Sequence, residues 1–374
     1  MGDWFGKDTP KLGFGLMRLP KRGIGIDVAE TAEMVDRFLA AGFTYFDTAH
    51  VYAGSEAAIA KALVERHPRE SYTLATKLYA PMAPTEASAR KQFATSLKRT
   101  KTTYVDYYLL HSLMESNYKK YERMNLWSYV RDLKAQGLAR HIGFSFHGGP
   151  DLLDELLTRH PEAEFVQLQI NYEDWEDKGI ASRANYEVAR SHDRSIVVME
   201  PVKGGRLANP PQDVRRLFRE SDRNASPAIW AIRFAASLEG IICVLSGMSN
   251  LAQLDDNVSY MRDFRPLDAS EREVIRQAQV LLGKSSAIPC TACRYCVDGC
   301  PMSIPIPDVF SAMNLVLANG QLAEAREAYA QATSAEGAGS AADCIACGSC
   351  ENSCPQHLPI IRHLAEADKR LARQ

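Results

Sequence analysis

The 374-residue sequence has no marked excess of charge of either sign, no long apolar run and no leader-like N-terminus. Forty-four Lys and Arg residues oppose 46 Asp and Glu residues, a formal net charge of −2, so we expect neither nucleic acid nor a membrane as a partner. The longest apolar runs, such as Ile241 to Leu245, fall far short of the roughly 18 residues that suggest a membrane span. The opening MGDWFGKDTP lacks the basic-then-apolar pattern of a secretory signal. These features predict a soluble, cytoplasmic protein.

Cysteine is scarce over most of the chain and concentrated near its end. Of nine cysteines, Cys243 stands alone in an apolar run typical of a core, and the other eight lie between Cys290 and Cys354. A segregated cluster of this kind, without a secretory signal, favours metal binding over disulfides. We therefore expect two domains, residues 1–283 and residues 284–374.

The first of these domains alternates β-rich runs with helical stretches. Helix start signals lie between the runs, such as the capping box of Asp27 with Glu30 and the Ser226-Pro227 pair. The candidate strands are residues 12–19, 44–49, 72–78, 104–111, 139–146, 165–172, 195–202 and 241–247. Eight strand-then-helix units favour an α/β fold with a closed (β/α)8 TIM barrel over an open doubly wound sheet, although the Gly-rich first strand could instead form a hairpin. The dinucleotide pattern G-x-G-x-x-G is absent, since the segment Gly13–Arg18 lacks the last glycine.

The C-terminal cysteines form a repeated C-x2-C-x2-C-x3-C-P motif, in CTACRYCVDGCP (290–301) and CIACGSCENSCP (344–355). Three thiolates on one short loop can hold three irons of a cubane cluster, and in two-cluster ferredoxins the fourth Cys serves the other cluster. That crossing would give a first cysteine set, Cys290, Cys293, Cys296 and Cys354, and a second cysteine set, Cys344, Cys347, Cys350 and Cys300. Zinc is the alternative, but it requires neither the third Cys at this spacing nor the Cys-Pro ending. The pattern resembles bacterial-type ferredoxin domains, which implies a small, mainly α-helical domain with two [4Fe–4S] clusters.

Four polar residues follow or end neighbouring candidate strands of the barrel: Asp47, Tyr52, Lys77 and His111. In a parallel barrel the chemistry lies at the C-terminal ends of the strands. A phenol with a pKa near ~10 is a poor acid at neutral pH, and an adjacent Lys cation lowers that pKa. Asp47 can pair with Lys77, and His111 can donate a hydrogen bond to a substrate oxygen. Each residue taken singly could be structural, but together they predict a proton-donating site.

The segments around these residues, FDTAHVYAGSE (46–56), LATKL (74–78) and DYYLLHS (106–112), resemble the aldo-keto reductases. The resemblance covers about residues 10–265. It implies that Asp47, Tyr52, Lys77 and His111 are the catalytic set, with Tyr52 as the general acid. It also implies a small-molecule carbonyl substrate and an NADPH or NADH cofactor extended across the barrel mouth.

The resemblance further implies which residues hold that cofactor. Ser145 and Gln167 would bind the nicotinamide amide, although Phe146 stands where the family has Asn. The loop MEPVKGGRL (199–207) would surround the pyrophosphate, and LSGMSNLAQLDDN (245–257) would hold the adenosine end. The complete implied set is Met17, Arg18, Asp47, Ser145, Gln167, Pro201, Lys203, Gly204, Gly205, Arg206, Leu207, Gly247, Met248, Ser249, Gln253 and Asn257.

Three hypotheses follow for the whole chain. In the first, an NAD(P)H-dependent oxidoreductase reduces a carbonyl, or oxidises an alcohol, and carries two clusters for electron transfer. In the second, the clusters relay electrons between the barrel and a ferredoxin or other redox protein. Because hydride carries two electrons and each cubane normally one, this relay calls for a mediator such as a flavin. In the third, the clusters brace the C-terminal domain or sense oxidants beside an ordinary reductase.

Overall fold

The structure is a computed structural model that describes residues 9–283 and 286–372. Two predictions fall partly on residues outside this description. The N-terminal pattern includes residues 1–8, and the predicted domain boundary is followed by residues 284–285. The chain forms two compact units. The first contains the residues up to Val202 together with Phe218–Ile275, and the second contains Lys203–Leu217 together with the residues from Arg276 onward.

The first unit is a closed barrel of eight parallel strands, which confirms the predicted fold class. Its strands are β1 (Leu12–Gly15), β4 (Tyr45–Asp47), β5 (Thr73–Leu78), β6 (Val105–Leu113), β7 (Ala139–Phe146), β8 (Phe165–Gln169), β9 (Ser195–Met199) and β10 (Ile241–Ser246). They pair in the order β1-β10-β9-β8-β7-β6-β5-β4, and β1 also pairs with β4 to close the barrel. The first strand is shorter than predicted, because Leu16–Arg18 form a 3-10 turn. A two-stranded hairpin follows it, made of β2 (Lys21–Arg22) and β3 (Gly25–Ile26).

Helices cover the barrel and make up most of the second unit. They are α1 (Val28–Ala40), α2 (Ser55–Ile59), α3 (Glu86–Thr100), α4 (Tyr118–Arg123), α5 (Leu126–Ala135), α6 (Pro150–Arg159), α7 (Ser182–Ser191), α8 (Gln212–Ser221), α9 (Pro227–Ala236), α10 (Leu251–Met261), α11 (Ala269–Leu282), α12 (Tyr295–Asp298), α13 (Ile306–Asn319), α14 (Leu322–Ala332), α15 (Ser349–Asn352) and α16 (Ile360–Leu371). Asp27 caps α1 and Ser226 caps α9, as predicted. Within the described residues, every helix is too short or too polar to cross a membrane.

The barrel strands are nearly continuous apolar runs because both of their faces are buried. Their inward side chains fill the barrel interior, as in other small barrels, where residues alternate between inside and outside. The interior cluster is Tyr45, Ala75, Tyr107, Leu109, Phe165, Val197, Ile242, Cys243 and Leu245. Cys243 is therefore a core residue, as predicted. The outward residues of the same strands pack against the helices in a second, larger cluster.

The second unit is mainly helical, which also confirms the prediction. Its apolar core includes Val309 and Phe310 of α13 and Leu364 of α16, together with the sulfur-bearing residues Cys296 and Cys350. The internal repeat extends beyond the cysteines, because α13 and α16 each begin with Ile directly after Pro. Three cysteines, Cys296, Cys350 and Cys354, are thus buried members of this core.

Candidate active site and cysteine-lined cavities

The barrel brings the four candidate catalytic residues together. Asp47 is the last residue of β4, Lys77 lies near the end of β5, and His111 lies in β6, so three adjacent strands carry them. Tyr52 lies in the loop after β4, where its backbone N–H donates to the Ala49 carbonyl at 3.0 Å. Because the strands are parallel, their C-terminal ends meet at one face of the barrel.

Lys77 is the centre of this group and has no exposed surface. Its Nζ donates to Asp47 Oδ1 at 2.5 Å and to the Thr48 carbonyl at 2.8 Å. The same Nζ lies 5.0 Å from the centroid of the Tyr52 ring. The ring of His111 meets the Tyr52 ring edge-on, with centroids 5.7 Å apart. A phenol, a cation, a carboxylate and an imidazole therefore share one buried site.

Burial changes the ionisation of these groups. It raises the pKa of Asp47 and lowers the pKa of Lys77, and the contact between the two opposes both shifts. Burial also holds the pKa of His111 well below its usual range, and the nearby charges of Lys77 and His147 lower it further. His111 is therefore a neutral imidazole near pH 7, able to donate a hydrogen bond without carrying charge.

Ser145 and Gln167 are neighbours in the register of β7 and β8. Ser145 Oγ accepts a hydrogen bond from the backbone N–H of Ser112 at 2.7 Å. Gln167 Nε2 faces the sulfur of Met199 at 3.6 Å, while Gln167 Oε1 is buried and has no hydrogen-bond partner among the described residues. Asp47 Oδ2 is also buried and has no hydrogen-bond partner among the described residues. Buried acceptors are normally hydrogen-bonded, and a carboxamide N–H or a sugar hydroxyl of a bound ligand is a suitable donor.

The residues predicted for the adenosine end lie around the start of α10. Gln253 Oε1 accepts from the Ser249 backbone N–H at 2.7 Å, and the buried Asn257 donates to Ser246 Oγ at 2.8 Å. Met248 belongs to the core. In this structure the Gln253 and Asn257 side chains help to hold the loop after β10 in place.

Met17 and Arg18 lie in the 3-10 turn after β1. The Arg18 side chain runs beside Gly247, where an added Cβ would lie 3.7 Å from Arg18 Cδ. Its guanidinium lies 3.9 Å from Glu200 Oε1. Arg18 is thus a partly exposed cation next to the loop after β10. Pro201, also in the implied set, is buried two residues beyond the end of β9.

The remaining residues of the implied set belong to the second unit: Lys203, Gly204, Gly205, Arg206 and Leu207. The first three have left-handed backbone with φ of 47°, 63° and 100°, and the Arg206 backbone N–H donates to the Lys203 carbonyl at 3.1 Å. Lys203 and Leu207 are buried. The structure therefore assigns this loop to the same compact unit as the cysteine-rich residues.

The eight C-terminal cysteines line two small cavities. The first cavity contains Cys290, Cys293, Cys296 and Cys354, and the second contains Cys300, Cys344, Cys347 and Cys350. This grouping is the crossed one, in which the last Cys of each motif joins the other motif's loop. In the part of the chain that the structure describes, no three Cys, His, Asp or Glu side chains are close enough to hold a single metal ion. Thiolates spread around a cavity suit a polynuclear cluster.

Comparison with known proteins identifies a family for each of the two parts of the chain. The Aldo/keto reductase family model matches residues 11–279. The chain belongs to the aldo/keto reductase family of oxidoreductases. A 4Fe-4S dicluster domain model matches residues 289–358, so this family member also carries an iron–sulfur domain.

Two curated relatives illustrate the range of sequence similarity. An aldo-keto reductase of Mycolicibacterium smegmatis is 35% identical over 141 residues, which cover 36% of this chain and 47% of the relative, less than half its length. The 9,11-endoperoxide prostaglandin H2 reductase of Trypanosoma cruzi is 24% identical over 266 residues, which cover 69% of this chain and 87% of the relative.

Two solved structures show the same barrel. An aldo-keto reductase from Bacillus halodurans, in its holo form, aligns with a TM-score of 0.57 and 26% identity over 72% of this chain and 91% of its own. An aldo-keto reductase from Klebsiella pneumoniae in complex with NADPH aligns with a TM-score of 0.59 over 72% of this chain and 92% of its own. Its 18% identity supports the fold alone.

Two residues of this aldo/keto reductase site were missed in the sequence. Glu56 is buried, accepts from Thr76 Oγ1 at 2.8 Å, and acts electrostatically on Lys77, opposing the effect of burial on the Lys77 pKa. Tyr121 of α4 donates from its hydroxyl to the His111 backbone carbonyl. Glu56 stands in the quoted FDTAHVYAGSE segment, but a Glu in a first helical turn is typical of an exposed position. For Tyr121 the sequence contains no comparable signal.

Proposed function

We propose that this aldo/keto reductase reduces a small carbonyl compound, or oxidises the corresponding alcohol, with NADPH or NADH as the redox cofactor. The observation that carries the proposal is the buried Lys77 ammonium, which contacts the Asp47 carboxylate and lies against the Tyr52 ring beside His111. The reduced nicotinamide, when bound, supplies the hydride. NADPH is the first cofactor to test, because a protein of the same fold is known in complex with it.

The chain's own residues supply the proton and orient the substrate. Tyr52 donates the proton of its hydroxyl to the carbonyl oxygen, and the nearby Lys77 cation stabilises the phenolate that remains. Asp47 keeps Lys77 in position and balances its charge. Neutral His111 donates a hydrogen bond that orients the same oxygen. Because Lys77, Asp47 and His111 are buried, water does not screen these interactions.

The remaining assignments of cofactor ligands are also proposals. Gln167 and Ser145 bind the nicotinamide carboxamide, and Gln167 Oε1 gains the donor that it lacks in the described residues. Lys203 or Arg206, in the loop after β9, pairs with a 2′-phosphate if the cofactor is NADPH. The first and second cysteine sets each ligate one [4Fe–4S] cluster, with residues 1–283 as the reductase region and residues 284–374 as the cluster-binding region.

The direct test of the proton donor is Tyr52→Phe, which removes only the hydroxyl. We expect carbonyl reduction to fall by at least about 100-fold, while the dissociation constant of NADPH stays near the wild-type value. Tyr186→Phe is the matched control, because the Tyr186 hydroxyl lies in α7 and donates to the Glu239 carbonyl, outside the proposed site. Full activity in Tyr52→Phe would exclude Tyr52 as the acid.

The two cysteine-lined cavities favour a second function, electron exchange with a ferredoxin or another one-electron carrier. Clusters of this type, when bound, carry electrons one at a time. Stepwise addition of NADPH to anaerobic protein, followed by absorption spectroscopy, tests this role. Bleaching of the cluster band supports exchange with the barrel, and a flavin band beneath it would identify the mediator. An unchanged cluster band in a protein that reduces carbonyls would oppose the relay and favour structural or sensory clusters.

A further inference from the structure

The loop Lys203–Arg206 packs on the backbone of the first cysteine motif. A Cβ placed at Gly204 would lie 2.6 Å from both Cα and the carbonyl oxygen of Thr291, so no larger residue fits there without a backbone shift. Gly204 also has a φ of 63°, which favours glycine. Thr291 stands between Cys290 and Ala292, within the ligand loop of the first cysteine set. All of these residues belong to the second unit.

The internal repeat provides a built-in comparison. Thr291 corresponds to Ile345 in the second motif, and the next residues, Ala292 and Ala346, share a left-handed backbone with φ of 52° and 53°. Their surroundings are opposite, since Thr291 is 1% exposed whereas Ile345 is 61% exposed. A polar residue is therefore buried where an apolar residue is exposed, which is the reverse of the usual preference. The packing against Gly204 accounts for the burial of Thr291.

The same inversion occurs at a second pair of equivalent positions. Gln356 lines the first cavity and is 8% exposed, whereas its counterpart Met302 lines the second cavity and is 36% exposed. The two cavities thus have the same arrangement of cysteines, but the residues at equivalent positions beside them are buried at the first cavity and exposed at the second. Only the first motif's loop carries the contact with Gly204.

Ligation at the first cysteine set would fix the conformation of Thr291, because Cys290 and Cys293 anchor the chain on both sides of it. We infer that the first cluster supports the nucleotide-binding loop Lys203–Arg206 through Thr291, so that NADPH affinity depends on the first cluster and not on the second. Thr291 is then a positioning residue that acts through Gly204. The inference rests on the proposed function, in which this loop contacts the cofactor.

Equivalent ligand replacements, Cys293→Ala and Cys347→Ala, test the inference in anaerobically purified full-length protein. Iron analysis and electron paramagnetic resonance establish that each variant has lost one cluster, and fluorescence titration gives the dissociation constant of NADPH. We expect Cys293→Ala to weaken NADPH binding by about tenfold, a typical coupling between sites, and Cys347→Ala to leave it near the wild-type value. Equal effects of the two replacements would overturn the inference.

A second pair of variants keeps all eight cysteines and guards against a general loss of folding. Thr291→Gly adds backbone freedom beneath Gly204, and Ile345→Gly makes the same kind of change at the equivalent position. We expect weaker NADPH binding in Thr291→Gly alone, with the absorption of both clusters retained. Unchanged binding in Thr291→Gly would refute the role of Thr291. Wild-type protein that does not bind NADPH at all would instead refute the proposed function.

Discussion

At the scale of single residues, the buried pair of Lys77 and Asp47 belongs to the proposed catalytic site and also affects stability. Lys77→Met leaves the Asp47 carboxylate in a buried site without its cation, and breaking a buried pair typically costs about 3–5 kcal/mol. We expect the unfolding midpoint in denaturant to fall accordingly and carbonyl reduction to be lost. Lys101→Met is the control, because Lys101 pairs with Glu65 on the surface and we expect a cost below about 1 kcal/mol. Equal, small losses in both variants would contradict a buried ion pair.

His111 predicts a pH dependence of stability. Its pKa in the folded protein lies well below the ordinary value of 6.5, chiefly because the ring is buried. As the pH falls below about 6.5, His111 binds a proton in the unfolded chain but stays neutral in the folded protein. The free energy of unfolding therefore decreases. The His111→Gln variant should lose this dependence, up to about 1.4 kcal/mol per pH unit, in denaturation series between about pH 7 and about pH 5.5. Parallel profiles for the two proteins would show that His111 does not titrate in this way.

At the scale of elements, the barrel depends on close contacts between neighbouring strands. A Cβ at Gly143 in β7 would lie 2.3 Å from the Phe165 carbonyl oxygen in β8. We therefore expect Gly143→Ala to lower the free energy of unfolding by about 1–3 kcal/mol, as overpacking does. Gly25→Ala is the control, because the nearest atom to its added Cβ is 3.9 Å away. An unfolding midpoint unchanged in Gly143→Ala would contradict the tight strand pairing.

The strands could be predicted from the sequence because burial on both faces leaves nearly unbroken apolar runs. Their ends were harder to predict. The runs at 165–172 and 195–202 continue past the last paired residues, Gln169 and Met199. In the run 165–172, hydrogen bonds between Asn171 and Asp174 form a buried loop after the strand. In the run 195–202, Glu200 has a left-handed φ of 53°, which ends the strand. Apolar periodicity contains no information on either event.

At the scale of the whole molecule, the spacing of the cysteines was sufficient to predict the grouping that lines the two cavities. The association of Lys203–Leu217 with the second unit was not predictable, because it depends on a contact between residues far apart in the chain, Gly204 and Thr291. In the sequence Gly204 resembles only a glycine of a phosphate-binding loop. In the structure, the absence of a side chain at Gly204 lets that loop pack on the backbone of a cysteine motif at Thr291.

In the proposed function, the barrel reduces a carbonyl compound with Tyr52 as the proton donor. The most direct measurement is a single turnover under anaerobic conditions, with NADPH deuterated at the transferable position and a panel of small aldehydes and ketones, in wild-type protein and Tyr52→Phe. We expect deuterium on the carbinol carbon of the alcohol formed by the wild type, and bound but unreacted NADPH in the variant. Alcohol without deuterium, or equal turnover by the variant, would contradict the proposed function.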